Sequence, residues 1–421
     1  MGTKKLLASR GVVVLASSLA ISGMACAVQS TPGGVEVSSG EQAHLMSLRG
    51  AMPKNDEFSK SRVDHSARPL PWLDGPGSPT DGAQQNQVSV PAAPVVGMGF
   101  DGVGQGFTGP QGTFTVNSAP PDTNGAVGTT QYVQTVNSDF AVFDKSTGSV
   151  VYGPVQINTL FQPLGGACAA DNDGDPVVVF DKLAKRWVIS QFAVTAAPYY
   201  QCVAVSKTED ATGGYNLYAF NYGSVFPDYP KMGVWPDGYY ITFNMFNGNT
   251  FAGAKACAYD RNAMLAGTAA TQQCFQLSSS YGGLLPADVD GLTAPPSGAS
   301  EIFLGRGTTQ LYRWLMHVNW TTPSASTFSS TPTSIPVASY AAACSGGTCI
   351  PQAGVSQKLD SLADRIMFRL AYRNFGTYDS VVVTHSVQIG SVHKNGNTAV
   401  RWYEIRNPAT ANAVYQQGTY N

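Results

Sequence analysis

Charge is what this sequence lacks most. Asp, Glu, Lys and Arg make up 12% of its 421 residues, about half the usual share. Acids number 27 and bases 25, for a formal net charge of −2. No basic field exists to draw in nucleic acid or an anionic membrane surface. Nucleic acid is thereby excluded as a partner. Histidine is scarce as well, and His317, His385 and His393 lie too far apart in sequence for a metal motif. G-x-S-x-G, H-E-x-x-H and the phosphate-binding P-loop are all missing. The segment "FDKLAKRW" does not match the Asp-box of sialidases. Helical periodicity is nearly absent too. Its closest approach, "QKLDSLADRIMFRLAYRNF", reads equally well as a strand in its second half.

Apolar residues reach 43%, with 45 glycines and 26 prolines. The chain can build a large core, punctuated by turns, with a surface wetted by Ser, Thr, Asn, Gln and Tyr. The N-terminus fits export. Lys4, Lys5 and Arg10 precede the run "GVVVLASSLAISGMACA", too short and too rich in Ser and Gly for a membrane span. Ala25, Cys26 and Ala27 satisfy the small-x-small rule for cleavage after Ala27. The other reading acylates Cys26 and so anchors the chain to a membrane, although Gly23 stands where Leu is usual. The expected location is periplasmic, extracellular or cell-surface.

Beyond Cys26 six cysteines remain: Cys168, Cys202, Cys257, Cys274, Cys344 and Cys349. An even number in an oxidising compartment points to three disulfides. Fifteen pairings exist, and sequential pairing, which closes three local loops, is the simplest.

Residues 28–94 carry Pro, Ser, Gly and Gln without a sustained period and read as a flexible spacer. From residue 95 to 421 the pattern becomes short strands between turn signals. "TTQYVQTVN", "AKRWVISQF", "PDGYYITFNMF", "ASEIFLGRG" and "YDSVVVTHSVQ" each open a unit that continues with a second strand. Tyr132 to Trp187 spans 55 residues and Trp187 to Tyr239 spans 52. Units long enough for four strands imply radial repetition, so the expected fold is an all-β β-propeller of about five to seven four-stranded blades. The chain stops at "YQQGTYN" with no evident closing element, which suggests a missing terminal blade.

The motifs "PPDTNGAVG", "DNDGDPVVVFDKLAKRWVISQF", "YPKMGVWPDGYYITFN", "LPADVDG" and "RNFGTYDSVVVTHSV" together make residues 95–420 resemble a family of exported bacterial β-propeller proteins, mostly of unknown function. The resemblance implies the fold and a strand-rich continuation past "YQQGTY". It implies no reaction and no catalytic residue.

Three groups are candidate sites. Asp171, Asp173 and Asp175 alternate in "DNDGDP", as oxygen ligands for Ca2+ would. Pro176 in place of the required Gly and Lys182 at the twelfth position exclude an EF-hand. The remaining readings are another kind of Ca2+ loop or an Asx-rich turn into "PVVVF"; no cofactor is required. Arg365, Arg369 and Arg373 recur every fourth residue and share one face in either a strand or a helix, where they could bind carboxylate or sulfate groups or pair with Asp360, Asp364, Asp379 or Glu404. Tyr229, Trp235, Asp237, Tyr239 and Tyr240 form an aromatic and acidic set that would stack on sugars or simply fill a blade. Asp122, Asp175, Asp237, Asp288 and Glu404 are the carboxylates available for glycoside chemistry.

In "APPDTNGAVGTTQYVQTVN" the prolines keep the chain extended, Asn124 and Gly125 read as a tight turn, and Asp122 has no structural explanation. The expected function is an exported, monomeric module binding glycans or a surface protein. The alternative is a glycan-active hydrolase or lyase using carboxylates and arginines at the channel.

Overall fold

A computed structural model describes residues 34–53, 63–64, 68–71, 81–85, 97–390 and 397–420. The segment expected to serve as an export signal, with Cys26, lies outside them. The protein is all-β, and Gly166–Ala170 and Arg261–Ala266 are the only α-helices among the described residues. No helix there is long and apolar enough to cross a membrane.

Five antiparallel sheets follow one another along the chain. Asn124–Val127, Gln131–Thr135, Asp139–Asp144 and Val150–Gln156 form the first as a simple meander. Val177–Asp181 opens the second, Phe226–Val234 the third, Leu285–Val289 the fourth and Met367–Asn374 the fifth. These opening strands lie side by side in chain order. The fourth and fifth are joined directly by a parallel ladder, Ala287 to Leu370 and Val289 to Tyr372. Among the described residues no comparable contact joins Met367–Asn374 back to Asn124–Val127. The row of opening strands is an open arc.

Period-two alternation builds the cores between sheets. In the second sheet Val178 and Phe180 face the first, packing with Val133, Phe140 and Val142. Val177 and Val179 face the third, packing with Met232, Tyr239 and Ile241. A third core unites Tyr240, Leu285, Ile302, Trp314, Leu370 and Tyr403 from the last three sheets. Since both faces of the middle sheets are buried, their strands read as unbroken apolar runs such as "PVVVF".

Two sequence expectations meet corrections, and one open reading is resolved. Within the segment read as a spacer, Glu36–Ser39 pairs with Thr271–Gln276 and Glu41–Leu45 pairs with Tyr215–Gly223, completing the third and second sheets at their outer edges. Edge strands need backbone pairing more than apolar burial, so their polar sequence hid them. Asn124 and Gly125 do not make a turn but begin the first opening strand. Gly125 is needed there because a Cβ would stand 2.2 Å from the Tyr132 hydroxyl. The doubtful "MFRLAYRN" is a strand, Met367–Asn374.

The disulfides are the sequential pairs Cys168–Cys202, Cys257–Cys274 and Cys344–Cys349, as suits an oxidising, exported location. The first ties the connection between sheets one and two to the third strand of sheet two.

The third and fourth sheets approach closely at Gly233, where a Cβ would meet the Ala287 carbonyl oxygen at 2.1 Å. Gly233→Ala must push the third and fourth sheets apart. It should lower stability by at least about 2 kcal/mol, seen as a lower urea midpoint with unchanged slope. An unchanged midpoint would show that the two sheets are free to slide.

Candidate active site

The residues just ahead of, or at the start of, the first three opening strands converge. Asp122 precedes the first, Asp175 the second, and Asp228 lies near the start of the third. Arg365 arrives from the approach to the fifth.

Asn137, at the tip of a hairpin in the first sheet, ties the first two approaches together. Its amide Nδ2 donates to the Pro120 carbonyl at 2.9 Å, its backbone N–H to Pro121 at 2.8 Å, and its Oδ1 accepts the Asp175 N–H at 2.9 Å. Gly174 is needed for this. Its φ is +95°, and a Cβ would fall 2.2 Å from the Asn137 Oδ1. Asp228 is set by a bulge: its register partner is Asn244, yet the next pair is Lys231 with Thr242. Tyr229, in the bulge, has φ +58°. Of eight non-glycine residues with positive φ among those described, Asp122, Asp175 and Tyr229 are three. Backbone strain of this kind persists where surrounding contacts enforce it, and it collects at functional sites.

Two cations join the acids. The Lys231 ammonium sits 3.8 Å from the centre of the Tyr229 ring, and the Arg365 guanidinium 4.5 Å from the same ring. Arg365 is fully buried and forks onto Asp364, with Nε to Oδ1 at 2.7 Å and Nη2 to Oδ2 at 2.9 Å. Its Nη1 is buried and has no hydrogen-bond partner among the described residues.

Burial governs the proton affinities. Asp175 is buried with Oδ1 unpartnered, and burial pushes its carboxyl well above the ordinary range. The nearby charge of Asp122, within hydrogen-bonding reach, pushes the same way, while Lys231 opposes. Burial and that neighbouring charge both favour the protonated form of Asp175. Asp228 is raised by burial to about 6, against the pull of the Arg68 N–H and the charges of Arg365, Arg68 and Lys231. Asp122 is half-buried and so is the member open to a ligand.

The sequence candidates scatter around this centre. Asp175 belongs to it, but Asp173 instead accepts the Val194 N–H at 2.6 Å and the Thr195 hydroxyl, and Asp171 ends a short helix. Among the described residues no group of three His, Cys, Asp or Glu is placed to hold a metal ion. The arginine row divides. Arg365 is in the site, Arg369 bridges Asp288 at 2.6 Å and Asp290 at 3.1 Å, and Arg373 lies exposed against Phe375. A shared face on a strand spreads its residues along the strand, so three arginines on one face do not meet at one ligand. Trp235 is buried against Tyr372, its indole donating to the Ala299 carbonyl. Tyr239 and Tyr240 are buried as well, donating to Asp181 and Asp237. Only Tyr229 of that aromatic set stands in the site. Asp237 serves Tyr240, Asp288 serves Arg369, and Glu404 pairs with Arg406.

Asp228, Lys231 and Asn137 were missed. A signal for Asp228 was present: Asp122 to Asp175 is 53 residues and Asp175 to Asp228 is another 53.

No family model and no curated protein matches this chain. Among solved structures it is similar to a GH43 endo-arabinanase from Bacillus licheniformis, at 12% identity and a TM-score of 0.27, over 72% of this chain and 96% of that one. It is also similar to the N-terminal domain of Nup159, at 10% identity and a TM-score of 0.22, over 94% and 98%. At such scores neither likeness carries a functional argument, which must come from the site's own geometry.

The raised Asp228 carboxyl makes stability pH-dependent. Its folded pKa of about 6 exceeds the ordinary 3.8, so between these values the folded state holds more proton than the unfolded one. Stability conferred by that proton is full below about pH 4 and lost as pH rises through 6. Asp139, raised by burial to about 7, acts in the same sense, so the parent must be compared with Asp228→Asn. The variant should gain up to about 3 kcal/mol on the parent from pH 4 to pH 7, read by urea unfolding at each pH. A constant difference would mean an ordinary Asp228.

Proposed function

We propose that the protein is an exported glycoside hydrolase on a β-propeller scaffold, its five sheets serving as blades and its active site lying where the opening strands begin. The observation that carries this reading is the meeting of Asp122, Asp175 and Asp228 from three successive sheets, with burial raising the proton affinity of Asp175 and of Asp228.

Glycoside hydrolysis needs one carboxyl that is protonated and one that is ionised, flanking the scissile bond. Asp228, protonated below about pH 6, serves as the acid. It gives its proton to the glycosidic oxygen as the bond from the anomeric carbon to that oxygen breaks. Asp122 serves as the base that takes a proton from the attacking water, whose oxygen becomes the new anomeric hydroxyl. Asp175, whose proton burial helps to retain, donates a hydrogen bond to the Asp122 carboxylate and so orients it. Tyr229 and Lys231 offer a ring face and an ammonium beside the acids, and both suit a sugar.

Catalysis is favoured over a purely binding module by the same geometry. The aromatic residues that a binding face would display, Trp235, Tyr239 and Tyr240, are consumed in packing. Buried carboxylates with strongly raised proton affinity, such as Asp175 and Asp228, cluster at sites of acid–base chemistry.

The test is a hydrolysis screen of the secreted form on neutral and acidic glycans. Asp122→Asn and Asp228→Asn should each lower kcat/KM by about 10²- to 10⁴-fold without lowering the melting temperature. In the parent, kcat/KM should decline above about pH 6 as Asp228 ionises. No turnover of any glycan, or full turnover by either variant, would refute the assignment.

A further inference from the structure

Residues 68–71, Arg-Pro-Leu-Pro, lie across this site. The Arg68 N–H donates to Asp228 Oδ2 at 3.1 Å, and the Arg68 carbonyl accepts from Arg365 Nη2 at 2.8 Å. The Leu70 N–H donates to Asp364 Oδ2 at 2.9 Å. Pro69 and Pro71 have no N–H to give. Both backbone donors of the tetrapeptide are therefore spent on carboxylates of the site or on the partner of its arginine. Side chains follow the same two-residue alternation. Arg68 lays its guanidinium 4.1 Å from the centre of the Phe226 ring and donates to the Gly248 carbonyl at 2.7 Å, while Leu70 is buried with Phe246 and Phe251. Pro69 and Pro71 stay exposed.

Building on the hydrolase reading, we propose that this tetrapeptide is an internal occupant of the active site, a displaceable strap that a saccharide must replace to reach Asp228. Its attachment differs in kind from that of the other N-terminal pieces. Glu36–Ser39 and Glu41–Leu45 are held by strand ladders, whereas residues 68–71 belong to no strand. The strap can leave without opening a sheet, so its exchange is local. Its prolines restrict the free segment to an extended form, which reduces the entropy lost on docking. What the strap offers, two N–H donors and one carbonyl acceptor in a row beside aromatic rings, is what the hydroxyls and face of a sugar offer. A saccharide can satisfy Asp228 and Arg365 in its stead.

The experiment uses the full chain with Arg68→Gly, Pro69→Ser, Leu70→Gly and Pro71→Ser combined, which keeps the connection and both edge strands. By calorimetry, acetylated and amidated Arg-Pro-Leu-Pro should bind this variant and not the parent, and Asp228→Asn added to the variant should weaken that binding. On a hydrolysed glycan the variant should show KM reduced about tenfold at unchanged kcat, with the peptide a competitive inhibitor. Leu70→Ala alone should shift KM the same way by a smaller factor, and it stands in if the quadruple variant does not fold. Absence of peptide binding to the variant, or a KM equal to the parent's, overturns the strap. Peptide binding without turnover of any glycan by parent or variant upholds the occupant and refutes the hydrolase, so the two failures are distinct.

Discussion

Everything at the centre of this protein follows from five short strands lying side by side, each the first of its own sheet, and beginning at a common place. Such a strand can be buried on both faces only if its neighbours are the first strands of adjoining sheets, as the backbone approach of Gly233 to Ala287 shows. Once they are so packed, the chain entering each strand is delivered to one spot whatever the sequence distance. Asp122, Asp175, Asp228 and Arg365 are brought together by this delivery, and none of them is a sequence neighbour of another.

The gathering has an energetic cost that the fold carries locally. Asp175 is buried without a partner for Oδ1, and Arg365 without one for Nη1. A net 1–3 kcal/mol is typical for each buried polar group left unsatisfied. Positive φ at Asp122, Asp175 and Tyr229 adds strain to the same few residues. Asn137 is the counterweight. One side chain uses both its donor and its acceptor to hold two strained approaches in place. The unpaired groups and the strained backbone thus fall on the same few residues, where the opening strands begin.

Much of the architecture was legible in the sequence. Repeated aromatic-led strand pairs marked the sheets, because alternation and turn residues are local signals. The sequential disulfides were legible for the same reason, since each closes a loop between near neighbours. The polar edge strands at 36–45 were not. Their partners lie at 215–219 and 271–274, and nothing local records a pairing over that distance. The site was half legible. Asp122 and Asp175 stood out as acids beside turns, and the arginine row was noticed. That row misled because equal spacing along a strand was read as convergence, when only Arg365, ahead of the strand, enters the site. Asp228 drew no notice beside Tyr229, and the bulge that positions it leaves no composition signature. The 53-residue step from acid to acid was the one sequence clue, and it appears only when the repeats are superposed.

The two edge strands impose an order of events on folding. Residues 36–45 come early in the chain, yet their partners follow only roughly 170 to 240 residues later, many seconds at ordinary synthesis rates. Throughout that interval the segment is a pair of unclaimed strands trailing from an unfinished protein. Were it apolar, it would pair with itself or with neighbouring chains. Its makeup, "EVSSGEQAHL", is nearly free of large hydrophobic residues. The low hydrophobicity that disguised it as a spacer is what lets it wait, and its arrival last makes it the closing seam of the second and third sheets.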